Sequence, residues 1–120
     1  MKLAALIEET IDAGGGFNQA LNGLLQFAKL APNRFDLAIW TTQETNLAPL
    51  RALGLTARVL RAGPLDRLLA QLELSQFGRR LTARLRLRTR LEKNLAEDGT
   101  DLVCFTAPSG LALTFKQLNY

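Results

Sequence analysis

The run Phe35-Asp36-Leu37-Ala38-Ile39-Trp40-Thr41 is apolar almost without interruption. A strand with one wet face alternates, whereas a strand covered on both faces reads as a continuous apolar run. A parallel sheet with helices above and below supplies that cover, and the rest of the chain alternates to match. Lys2 to Ile7 reads as a first strand. Phe17 to Leu30 reads as a helix, because Phe17, Ala20, Leu21, Leu24, Leu25 and Ala28 recur at spacings of three and four. Pro32-Asn33 is expected to end that helix, since proline cannot continue it. Asn46 to Leu53 predicts a short helix with Pro49 in its first turn and Gly54 as its stop.

Leu55 to Leu60 follows as a third strand, and Gly63-Pro64 punctuates. A long helical region then runs from Leu65 to about Ala96, broken, if anywhere, near Gly78, and Asp98-Gly99 closes it. Asp101 to Thr106 is the fourth strand, and Ala107-Pro108-Ser109-Gly110 is a turn. Right-handed crossovers between such strands predict an α/β chain: a Rossmann-like three-layer half whose parallel sheet has the order 3-2-1-4. Strands 1 and 4 then lie side by side, and their carboxyl ends flank the switch point where open α/β sheets bind ligands. The 120 residues are read as one domain, 1–120.

Two loops meet that rim. Gly14, Gly15 and Gly16 stand between the first strand and the first helix. Free N–H groups at a helix start, reached past residues without a Cβ, make an anion seat. The same triplet also serves as no more than a tight strand-to-helix turn. Neither a dinucleotide fingerprint nor a Walker lysine is present. Glu8, Glu9 and Asp12 lie close by, as a general base, an acceptor contact or a solvated acidic loop. Trp40 and Thr41 end the second strand, where a tryptophan borders the cleft or fills the core.

Composition removes several chemistries. The chain has no histidine, hence no Ser–His or Cys–His pair and no histidine metal ligand. Cys104 is the single cysteine, set between Val103 and Phe105 as a small buried hydrophobe, so no internal disulfide framework exists. No apolar stretch approaches the ~18 residues of a membrane span. The acidic residues after Ile7 come too early for a secretory signal. A cytoplasmic chain needing neither cofactor nor metal is expected.

From Arg79 to Lys93 six arginines and one lysine stand against Glu92 alone, while the whole chain carries only +4. On one continuous helix Leu81, Leu85, Leu87, Leu91 and Leu95 form an arc, with Arg80, Arg84 and Arg88 inside it and Arg79, Arg86, Arg90 and Lys93 opposite. Such a segment is a solvated face with arginine stems over apolar surface, or a patch resting on an anionic membrane, peripheral at the inner face. Nucleic acid is not expected, because helix-turn-helix spacing and an aromatic platform are both missing.

The stretch Gly14-Gly15-Gly16-Phe17-Asn18-Gln19-Ala20-Leu21-Asn22-Gly23-Leu24 resembles the opening loop and helix of nucleotide-sugar-dependent glycosyltransferases with the two-domain GT-B fold, group-one type. Asp101-Leu102-Val103-Cys104-Phe105-Thr106-Ala107-Pro108-Ser109 is similar to a later strand and loop of that family, with Cys104 where histidine is common. The resemblance implies transfer of a sugar from a nucleotide diphosphate to a hydroxyl acceptor. It makes this chain the amino-terminal, acceptor-side domain, inactive without a second domain. It also implies that Gly14, Gly15, Gly16, Phe17 and Asn18 approach the donor diphosphate, with Thr106, Ser109 and Gly110 lining the same cleft. A sheet ending at its fourth strand leaves an open edge, so self-association as a homodimer is expected, with the apolar tail Leu111 to Phe115 covering that edge either within the chain or across the dimer. The rival expectation is a non-catalytic α/β interaction domain that meets an anionic membrane or an acidic partner through residues 79–93.

Overall fold

Four strands pair in parallel in the order β3-β2-β1-β4, with β1 at Lys2–Ile7, β2 at Asp36–Thr41, β3 at Ala57–Val59 and β4 at Leu102–Phe105. The computed structural model describes residues 1–85, 89–109, 111–116 and 118–120, with side chains for all of these except 82–85. Helices α1 (Gly15–Arg34), α2 (Leu47–Ala52), α3 (Pro64–Glu73), α4 (Gln76–Leu85) and α5 (Arg90–Glu97) make up the crossovers. This is the expected Rossmann-like half. β1 sits in the middle, in register with β2 (Leu6 opposite Trp40) and with β4 (Leu6 opposite Phe105).

The two-residue repeat of β1 divides its side chains between two cores. Leu3, Ala5 and Ile7 pack with Ile39 against Phe17, Ala20 and Leu24 of α1 and Leu50 of α2. Ala4 and Leu6 pack with Trp40 and Val103 against Leu91 and Leu95 of α5 and Phe115 of the tail. Trp40 is thus a core residue.

Several boundaries depart from the sequence reading, each for a local reason. α1 begins at Gly15 and runs to Arg34, with Pro32 inside it. Proline there sacrifices one intrahelical bond in the final turn, and Phe35 N–H closes the helix on Ala31 O at 3.1 Å. β3 is shorter than Leu55 to Leu60, because Leu55 N–H is still engaged in closing α2, on Leu50 O at 3.0 Å.

The region read as one long helix is three. It breaks at Leu74-Ser75, three residues before Gly78, where Ser75 Oγ accepts Gly78 N–H at 2.9 Å and so caps α4. It starts afresh at Thr89, whose extended backbone and Oγ1, accepting Glu92 N–H at 3.1 Å, cap α5. The leucine arc is therefore not one stripe. Leu91 and Leu95 are fully buried in the sheet's second core, whereas Leu81 is exposed on α4. Leu85 and Leu87 of that arc fall outside the described side chains, as do Arg84, Arg86 and Arg88.

The open edge of β4 is met within the chain, though not by Leu111 to Phe115. Leu111–Thr114 coils into a 3-10 turn and Phe115 enters the second core. Asn119 makes the edge contact instead, bridging to Leu102 and accepting Val103 N–H at 2.8 Å. The tail is held by Glu92, whose Oε1 accepts Lys116 N–H at 2.8 Å and Leu118 N–H at 3.0 Å.

Candidate functional site

Because Leu6 and Phe105 are paired, β1 and β4 end level with each other and release their loops onto the same rim. Thr106 continues the pairing, with N–H and Oγ1 both donating to Leu6 O at 3.1 and 3.0 Å. Its hydroxyl proton is therefore committed within the fold. The β1 loop is two residues shorter than the sequence reading, because α1 starts at Gly15: it runs through Glu8, Glu9 and Thr10, then a 3-10 turn at Ile11–Ala13, then Gly14. Gly14 takes φ 62° and ψ −113°, a backbone conformation that a side chain rarely tolerates, which explains glycine at this position.

α1 opens immediately after it. Its first helical backbone bond is Asn18 N–H to Gly14 O at 3.1 Å, and no side chain caps the turn. The N–H groups of Gly15, Gly16 and Phe17 thus point out of the helix start. Space beside Gly14 and Gly15 is open, with no atom within 4 Å of a Cβ built on either. Gly16 differs. A Cβ there would touch Glu9 Cδ at 3.6 Å and Oε2 at 3.7 Å, so the chain's own carboxylate rests against this turn, where the helix dipole favours negative charge. Asn18 is exposed, while the Phe17 side chain is buried in the first core, leaving its backbone as the part that faces the rim.

Asn46 sets the position of the acidic loop. It is fully buried, and its Nδ2 donates to Glu9 O at 2.7 Å and to Thr41 Oγ1 at 3.1 Å, tying the end of β2 to the β1 loop. The sequence offered only its place ahead of Leu47, which reads as a helix start, and the long-range bond has no local signal.

The two loops approach each other at Glu8 and Ser109. The Ser109 hydroxyl lies near enough to Glu8 to act on its carboxyl, and Ser109 Oγ accepts Leu111 N–H at 3.0 Å. Burial pushes the Glu8 carboxyl above its ordinary value, the Ser109 hydroxyl pulls the other way, and neighbouring Glu9 adds to the rise. Gly110 lies outside the described residues. Below Ser109 an apolar cavity of about 420 Å³ follows the outer edge of β4 between Phe27, Cys104, Phe105, Pro108 and Tyr120. Burial pushes the Cys104 thiol up, the opposite of what a thiolate nucleophile requires.

The raised Glu8 carboxyl has a measurable consequence. Below the ordinary glutamate range it is protonated in the folded and unfolded chain alike and costs nothing. As pH rises through the window between the ordinary and the raised value, the unfolded chain loses its proton first and folding stability falls. Above that window the whole penalty is present. Glu8→Gln is therefore expected to stabilise the chain in urea denaturation at neutral pH and to leave it unchanged in acid. An equal effect at both pH values would contradict the assigned burial of the charge.

What the rim offers chemically is a pair of carboxylates, two hydroxyls and a row of helix N–H donors on the loops that follow β1 and β4. No protein-family model matches the chain, and no curated protein or solved structure is significantly similar to it. Among the described residues no helix is long and apolar enough to cross a membrane.

Proposed function

We propose that this chain is the acceptor-side, amino-terminal half of a GT-B glycosyltransferase, which moves a sugar from a nucleotide diphosphate to a hydroxyl acceptor. The observation that carries the reading is the register of β1 and β4, Leu6 opposite Phe105, which releases the glycine loop and the β4 loop onto one rim at the switch point of the sheet. In this reading the N–H groups of Gly15, Gly16 and Phe17, reached past the open face of Gly14, stabilise charge on the donor diphosphate. Glu8 accepts a hydrogen bond from the acceptor hydroxyl, and Thr106 and Ser109 line the cleft beside it. Glu9 is the local competitor for the phosphate seat at Gly16, and it keeps diphosphate affinity low in this half alone.

Titration of the ¹⁵N-labelled chain with uridine diphosphate tests the assignment. Shifts are expected to cluster at the amides of Gly14 to Asn18 and Thr106 to Ser109, with affinity on the order of millimolar, about 4 kcal/mol. Glu9→Gln is expected to tighten binding by removing a like charge. Shifts confined to other parts of the chain, or none at all, would remove the phosphate role from this rim.

A further inference from the structure

We infer that the α3–α4 hairpin is a docking surface for an anionic lipid bilayer. This assignment uses residues remote from the rim and does not rest on the glycosyltransferase reading. Of the large hydrophobic side chains exposed among the described residues, five fall between positions 65 and 81: Leu65, Leu68, Leu74, Phe77 and Leu81. Phe77 is 79 % exposed and Leu74 70 % exposed, the two highest values among those hydrophobics, and they flank the turn between the helices. Isolated exposed leucines are ordinary on a protein surface, but a concentration of them on one hairpin is not.

The charges of the same hairpin are sorted by sign. Its two carboxylates face inward. Asp66 is 1 % exposed and accepts Gly63 N–H at 3.0 Å and Arg90 N–H at 2.7 Å. Glu73 is buried and paired with Lys116 Nζ at 3.0 Å. The charged residues left at the surface from 65 to 81 are Arg67, Arg79 and Arg80, all positive. A helix that only needed solubility would mix both signs on its wet face. Arginines interspersed with leucine and phenylalanine, with no exposed acid, are complementary to a surface that is negative at the headgroups and apolar beneath.

The hairpin is also placed to reach such a surface, because α4 packs chiefly on α3 and its described side chains, 76–81, stand outside the two cores. An acidic protein partner would use the arginines but would have little use for Phe77 and Leu74 at the protruding turn. The sequence extends the positive charge with Arg84, Arg86 and Arg88 directly after this segment.

Co-sedimentation with vesicles of phosphatidylglycerol and phosphatidylcholine, against phosphatidylcholine alone, tests the inference. Binding is expected to be at least about tenfold stronger to the anionic vesicles and to weaken as salt is raised. Arg67→Glu with Arg80→Glu is expected to lower it by about tenfold or more, since each basic residue near an anionic surface is worth several-fold in affinity. Leu74→Ser with Phe77→Ser is expected to lower it comparably with the arginines intact. All four side chains are exposed, and unchanged circular dichroism checks that the variants fold. The emission of a Phe77→Trp variant is expected to shift to the blue with anionic vesicles only. Failure to bind, equal binding to neutral vesicles, or indifference to Leu74→Ser and Phe77→Ser would overturn the proposal, the last outcome assigning the arginines to an acidic soluble partner instead.

Discussion

Glu92→Ala is expected to release the tail from the sheet and to lower the unfolding free energy by roughly 2–5 kcal/mol, a loss read as a reduced urea midpoint. Glu92 is 1 % exposed, and its Oε1 accepts the backbone N–H groups of both Lys116 and Leu118. Alanine removes the acceptor of two part-buried donors, and each one left unmet costs about 1–3 kcal/mol. The tail is not decoration. Phe115 is 3 % exposed in the second core, edge-on to Phe105 at 5.4 Å, and Asn119 holds the free edge of β4. Hydrogen exchange should therefore quicken first at residues 115–120 and at Val103, whose N–H is bonded to Asn119. Glu92→Gln keeps a carbonyl oxygen for the same two donors and is expected to lose much less. Equal losses in the two variants would show that charge, not acceptance, is what Glu92 supplies.

The strands were legible because burial on both faces writes itself into consecutive residues. Lys2–Ile7 is the strand read from sequence, and β2 differs only in leaving out Phe35. The sheet order followed from chirality and from the alternation of elements, which involve no individual contact. Polar groups working at a distance were not legible. Asp66, Glu73 and Glu92 lie in the stretch read as one long helix, yet all three are buried and two of them hold backbone N–H groups. Once the helix is cut at Thr89, a new amino-terminal turn appears and buried acceptors have donors to meet. Without that cut the same residues look like ordinary solvated charge.

The candidate site divides along the same line. The rim itself could be placed from the glycine triplet and the Ala107-to-Gly110 turn, because both sit just after strands that topology sets side by side. Its internal wiring could not. The bond of Asn46 to Glu9 spans 37 residues of chain and leaves no periodic trace. The seat of Glu9 against Gly16 likewise depends on how the 3-10 turn folds the loop back.

Gly78→Ala is expected to cost about 3 kcal/mol, with the loss confined to one part of the molecule. A Cβ on Gly78 would collide with the carbonyl oxygen of Leu72, and would lie 2.6 Å from its carbon and 2.7 Å from Ser75 Oγ. Leu72 O cannot simply turn aside, because it accepts Ser75 N–H and Ser75 Oγ, both at 3.0 Å. Ser75 in turn caps α4 through Gly78 N–H. One added methyl thus breaks the capped turn or forces α3 and α4 apart. Since α4 packs chiefly on α3 and none of its described side chains, 76–81, joins either core, the sheet is expected to keep its fold without it. Amides of residues 76–81 are expected to lose protection while those of β1 and β2 keep theirs, and the far-ultraviolet helix signal should fall without loss of the buried environment of Trp40. A single cooperative transition in which helix signal and Trp40 fluorescence fall together would instead make the hairpin part of the folding unit of the sheet. Vesicle binding offers a second reading of the same variant: it should decline with the helix signal, because separating α3 from α4 scatters the leucines and arginines that the capped turn gathers.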